Sequence, residues 1–150
     1  MIFRRAHGTA NVATVIERKT RFVALCRNED RRPRAVMGRM ARLLGALPKE
    51  ARRSVTLDCG LLFQAWRELA RATGIGVWFC DPQAPHQKGA VENANGRIHR
   101  WLPSDTPVAD PRPGAMSALC QCLNMTPRKC LGDATPAKAF AAEISRTTHG

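Results

Sequence analysis

Apolar positions along the chain recur first at strand spacing and then at helix spacing. NVATVIE (11–17) and TRFVALC (20–26) are rich in β-branched and aromatic residues and are separated by the polar pair Arg18-Lys19. They read as an antiparallel hairpin. The polar loop RNEDRRP follows. From Arg34 to Leu47, Val36, Met37, Met40, Leu43, Leu44 and Leu47 form one helical stripe, with Arg34, Arg39 and Arg42 off it and Pro48 ending it. SVTLD (54–58) is a short strand that ends on an acid. Leu62, Ala65, Trp66 and Leu69 make the next stripe, closed by Gly74, and IGVWFC (75–80) has the length of a buried strand. An irregular loop runs from Asp81 through Lys88. Val91, Ala94, Ile98 and Trp101 then give helical spacing up to Pro103. Prolines at 103, 107, 111 and 113 mark a loop, and helices are expected near 115–124 and from Pro136, with Thr135 as its cap. The order β-β-α-β-α-β-α-α-α is that of a mixed α/β domain.

Charge changes the picture most. The 150 residues carry 24 Lys plus Arg against 12 Asp plus Glu, a net charge of +12. Such a balance points to a polyanionic partner, nucleic acid before membrane. The charge is lopsided: residues 1–53 hold 14 basic and 4 acidic side chains, net +10, whereas the rest is net +2. No apolar stretch reaches transmembrane length, and MIFRRAHGTANVA lacks the apolar core of a signal peptide, so the expectation is a soluble, cytoplasmic chain. The six cysteines include no CxxC pair and no Cys/His quartet at zinc spacing. They read as reduced thiols, Cys26 and Cys80 as small core residues. Trp66, Trp78 and Trp101 all sit on apolar stripes and read as core rather than base-stacking platforms.

Two acids stand where chemistry could be done. Asp58 ends a strand and precedes Cys59-Gly60 and a helix, and ligands of open α/β sheets lie beyond the carboxyl ends of strands. The plainer reading of Asp58 is a helix cap. Glu92 lies on a helix that also carries Asn95 and His99 on one side, away from Val91, Ala94 and Ile98. The plainer reading of Glu92 is a surface pair with Lys88. Taken together, a strand-end and a helix carboxylate can converge on a divalent cation of the kind that serves phosphodiester transfer. With the basic first third, they suggest a nuclease or strand-transfer domain.

VIERKTRF, the TLD-x-G-x-x-F segment, WFCDPQAPHQKGAVENANGRIHRWLP and LNMTPRKCLGDATPAKAF follow one another here in a way that resembles bacterial insertion-sequence transposases of the insertion-sequence-thirty family, over roughly residues 9–140. The resemblance implies an α/β, RNase H-like fold: an integrase catalytic core with a mixed sheet flanked by helices, its first strand largely missing. Residues 1–103 would form the partial core and 104–150 a Pro-rich loop and helical extension of the same domain. It also implies DNA cleavage and strand transfer with Mg²⁺ or Mn²⁺, Asp58 and Glu92 serving as catalytic and metal-binding acids. Lys88, Asn95 and His99 would lie along DNA near the scissile phosphate, and the run Arg31, Arg32, Arg34 offers further DNA contact.

The family's first catalytic Asp falls just before Met1, and no acid precedes Glu17, so the chain is expected to be inactive alone. The family has Glu where this chain has Leu62, and Trp where it has His86. Partners implied are transposon-end and target DNA and further copies of the chain, with no membrane, at the bacterial nucleoid. The alternative reading is a non-catalytic nucleic-acid-binding fragment or a decayed pseudogene product.

Overall fold

The computed structural model describes residues 11–81, 89–101 and 114–148, the side chains of Trp101 and Thr148 excepted. Expectations for Met1–Phe3, His86, Lys88 and the proline loop lie outside the described residues. Strands β1 (Asn11–Ile16) and β2 (Val23–Asn28) form the expected hairpin, paired antiparallel from Asn11 opposite Asn28 to Ile16 opposite Val23. Its turn is organised by one carboxylate: Glu17 accepts the Lys19 and Thr20 amides at 3.0 and 2.5 Å and the Thr20 hydroxyl at 2.6 Å. Burial opposes ionisation of Glu17, but these hydrogen bonds outweigh it and hold the carboxyl below its ordinary range. At the open end, Asn28 donates to the Asn11 amide oxygen at 3.0 Å, and both side chains are fully buried.

Helix α1 (Pro33–Gly45) opens on the proline that suits a first turn. Strand β3 (Ser54–Leu57) pairs in parallel with β4 (Gly76–Phe79), and helix α2 (Trp66–Thr73) connects them, ending at Gly74 with a left-handed φ of 67°. Arg52 fastens this connection: its guanidinium donates to the carbonyls of Leu47 at 3.2 Å and Thr73 at 2.6 Å. Helices α3 (Gly89–Trp101), α4 (Ala115–Met125) and α5 (Pro136–Thr148) follow. The Thr135 hydroxyl caps α5, accepting the Lys138 amide at 3.3 Å. Among the described residues, no helix is long and apolar enough to cross a membrane.

Strand alternation sorts the side chains into two cores. On one side, Val36, Met37, Met40 and Leu44 of α1 and Leu69 of α2 pack with Leu57, Ile75 and the half-buried Val15, Val55 and Val77. On the other, Val12 and Val23 pack with Ala94 and Ile98 of α3 and Leu119 and Leu123 of α4. The described strands make two two-stranded sheets, β1–β2 and β3–β4.

The outer edge of β2 is closed by a side chain. Asn124 of α4 accepts the Val23 amide and donates to the Val23 carbonyl, both at 2.8 Å, as a neighbouring strand would. Asn124→Leu leaves the Val23 amide buried without its partner and the Val23 carbonyl with only the Cys120 thiol. The expected loss is on the order of 2–3 kcal/mol, read as a lower midpoint in urea unfolding.

Candidate active site

Asp58 stands one residue beyond β3. Its Oδ1 accepts the Gly60 amide at 3.0 Å, an Asx turn rather than a helix cap. A Cβ at Gly60 would come within 2.8 Å of that oxygen, closer than real Cβ contacts, so a larger residue here would displace the carboxylate. This ties Gly60 to the placement of Asp58.

Glu92 lies in the first turn of α3, where the helix dipole favours an anion. The helix is held down by Ala94, 5% exposed, and Ile98, fully buried, so its opposite side is free to present Glu92. Asp58, Glu92 and Asn95 line one cavity of about 670 Å³ that also meets β1 and β3. Asn95 sits one turn after Glu92, and its buried amide oxygen has no hydrogen-bond partner among the described residues. Carboxylate and amide oxygens are the hard donors that Mg²⁺ prefers, so the chemistry of this set fits such an ion. Among the described residues no three His, Cys, Asp or Glu side chains cluster as a ready-made metal site. Glu17, Glu50 and Glu143 line the same cavity as Asp58 and Glu92.

No family model matches the chain. It is 33% identical over 142 residues to a transposase of insertion sequence element IS30A from Escherichia coli (strain K12), covering 93% of this chain and 37% of that protein. It is 30% identical over 147 residues to the transposase of IS1086 from Cupriavidus metallidurans, covering 98% of this chain and 43% of that one. The chain is a homologue of the IS30-family transposases. It spans about two fifths of the length of these relatives. Its fold is that of an integrase catalytic core. The crystal structure of the BIV integrase catalytic core domain matches with a TM-score of 0.69 at 19% identity, over all of this chain and 94% of that one.

The remaining candidate residues of this IS30-family homologue fare differently. His99 is half-buried on α3 and is not among the residues that line the cavity with Glu92. Lys88 lies outside the described residues. Arg32 pairs with Asp30 at 2.6 Å and Arg34 with Glu68 at 2.9 Å, while Arg31 is half-buried. Both pairs are exposed, so water screens them and they hold their guanidinium groups only weakly. Cys120 and Cys122 diverge as expected for a helix. The Cys120 thiol meets the Val23 carbonyl at 3.1 Å, and Cys122 is exposed.

Trp78 corrects the sequence reading. IGVWFC is not buried throughout: Trp78 is 66% and Phe79 42% exposed, whereas Trp66 packs against the α1–α2 core. Trp78 is exposed because only one side of the β3–β4 sheet is covered among the described residues, whereas Phe79 lies on the covered side at the strand's end. A signal was present in the partner strand, which places polar Ser54 and Thr56 opposite Gly76 and Trp78.

Proposed function

We propose that this chain is the part of a DNA transposase that carries out phosphodiester cleavage and strand transfer, with Asp58 and Glu92 as its acidic pair. The observation that carries this is their placement: a strand-end and a helix carboxylate line one cavity in a homologue of IS30-family transposases. Asp58 and Glu92, with the Asn95 oxygen beside them, would hold Mg²⁺ or Mn²⁺. When bound, such an ion would supply Lewis-acid activation of the attacking water or 3′-hydroxyl. The chain's own contribution is placement. Gly60 fixes one oxygen of Asp58, and the buried anchors of α3 fix Glu92 and Asn95. DNA as partner places the chain inside the bacterial cell, and self-association belongs to the same reading.

A second reading, a non-catalytic DNA-binding fragment, is favoured by the lack, among the described residues, of any group of three His, Cys, Asp or Glu side chains placed to hold a metal ion. A nicking assay in Mn²⁺, run on this chain and on one extended before Met1 by an Asp-bearing strand, separates the two. Cleavage lost in Glu92→Gln supports the enzyme, and binding without cleavage supports the fragment.

Either way, phosphate contact by exposed Lys and Arg releases counterions. Binding to mixed-sequence DNA is therefore expected to weaken steeply with salt, by a factor on the order of 10³ between 50 and 200 mM if six phosphates are engaged. A filter-binding or anisotropy titration across that range measures it. An affinity unchanged by salt would remove the electrostatic basis of the proposal.

A further inference from the structure

The uncovered side of the β3–β4 sheet is unlike an unpaired core. It consists of Ser54 and Thr56 on β3 and Gly76 and Trp78 on β4, in two cross-strand pairs, Ser54 with Gly76 and Thr56 with Trp78. The opposite side carries Val55, Leu57 and Val77 against the α1–α2 core, together with Phe79, whose ring meets Trp66 edge-on at 5.8 Å. A face destined for an aliphatic partner would repeat such residues. This one offers two hydroxyls and a single indole, which stays 66% exposed. The indole leans along its own strand: its Nε1 lies 3.6 Å from where a Cβ on Gly76 would stand.

Alternation along β3 carries the same side on from Ser54 and Thr56 to Asp58. Two residues along a strand and one strand across separate Trp78 from Asp58 by roughly 8 Å between Cα atoms. That is about two nucleotides of stacked strand at roughly 3.4 Å each.

We propose that this face is a nucleotide platform. Trp78 stacks on an unpaired base of a DNA end while Ser54 and Thr56 donate to its backbone, within two nucleotides of Asp58. Indole stacking is indifferent to base identity because every base has a π-face, and hydroxyls are common phosphate donors. The net charge of +12 supplies the long-range attraction that a neutral platform lacks. The occupant is single-stranded or frayed DNA, since a base stacked within a duplex cannot reach the ring. The proposal rests on Asp58 belonging to the site of strand chemistry and adds the residue that holds the strand beside it.

The test uses the full chain without divalent metal, in a Glu92→Gln background, with a fluorescent single-stranded oligonucleotide and a blunt duplex as probes. Trp78→Ala is expected to weaken single-strand binding by roughly 5- to 100-fold, the range for loss of one base–aromatic stack. Trp78→Phe should retain most of the affinity, Trp78→Leu should not, and duplex affinity should barely change. The slope of log affinity against log salt should stay the same in all variants, because phosphate contacts are kept. Circular dichroism checks that each variant folds. If alanine at this exposed site unfolds the chain, the Phe against Leu comparison carries the test. Equal single-strand affinity in Trp78, Phe and Leu chains would overturn the platform. So would a dimer in sedimentation that Trp78→Ala dissociates with DNA binding unchanged, since the face would then be a protein interface. Mn²⁺ binding that depends on Asp58 and Glu92, measured separately, keeps the outcome for the platform distinct from the outcome for the site.

Discussion

Ile98→Ala is expected to lower the unfolding free energy by about 2–5 kcal/mol, the usual range for deleting a large aliphatic side chain from a closed core. Ile98 is fully exposure-free and lies where α3 meets Val12, Val23, Leu119 and Leu123. It is therefore a joint between the hairpin, the α3 helix and α4. A domain of this size commonly has only about 5–15 kcal/mol in total, so the variant should unfold at a markedly lower urea concentration. Glu92 lies on the other side of the same helix and is exposed. Glu92→Gln should change stability by no more than about 0.5 kcal/mol. The contrast between the two substitutions is the useful result. A stability loss for Glu92→Gln as large as that for Ile98→Ala would mean that the acid holds the fold together rather than serving a ligand.

The parts of this fold that were legible in the sequence are those with a period. The hairpin showed as two β-rich runs about a polar pair, and α1 and α3 as stripes at helical spacing whose members, Val36, Met37, Met40 and Ile98 among them, are the core residues observed. Asp58 and Glu92 were legible as positions, one at a strand end and one on the outer side of a helix. The cavity between them was not, because it depends on how α3 docks across β1, and that is set by long-range packing. Trp78 was misread for a different reason. A run of apolar residues without alternation carries no information on which side is covered, and coverage is decided by helices elsewhere in the chain. Only the cross-strand partners Ser54 and Thr56 could have revealed it. The edge-closing role of Asn124 was equally invisible, since it joins residues 101 positions apart.

Mn²⁺ should bind the folded chain in a way that needs both acids, with Asp58→Asn and Glu92→Gln each weakening it by at least about tenfold. A divalent ion of this class draws its affinity from a small number of negatively charged oxygens, so neutralising one of two removes much of the attraction. Mn²⁺ is also a spin probe, and its bound fraction can be read directly by electron paramagnetic resonance without any catalytic turnover. Asn95→Leu should weaken binding less than either acid does, because it removes a neutral oxygen ligand, one with no hydrogen-bond partner among the described residues. Gly60→Ala should act at a distance from the metal. The added methyl would press on the Asp58 oxygen that accepts the Gly60 amide, moving the carboxylate while leaving its charge in place. If the four variants bind Mn²⁺ as the parent does, Asp58 and Glu92 do not share an ion, and the basic, hydroxyl-lined surfaces become the chain's functional content. If the two acid variants lose the ion together and Gly60→Ala follows partway, the carboxylates act as one site whose geometry is held by the turn after β3.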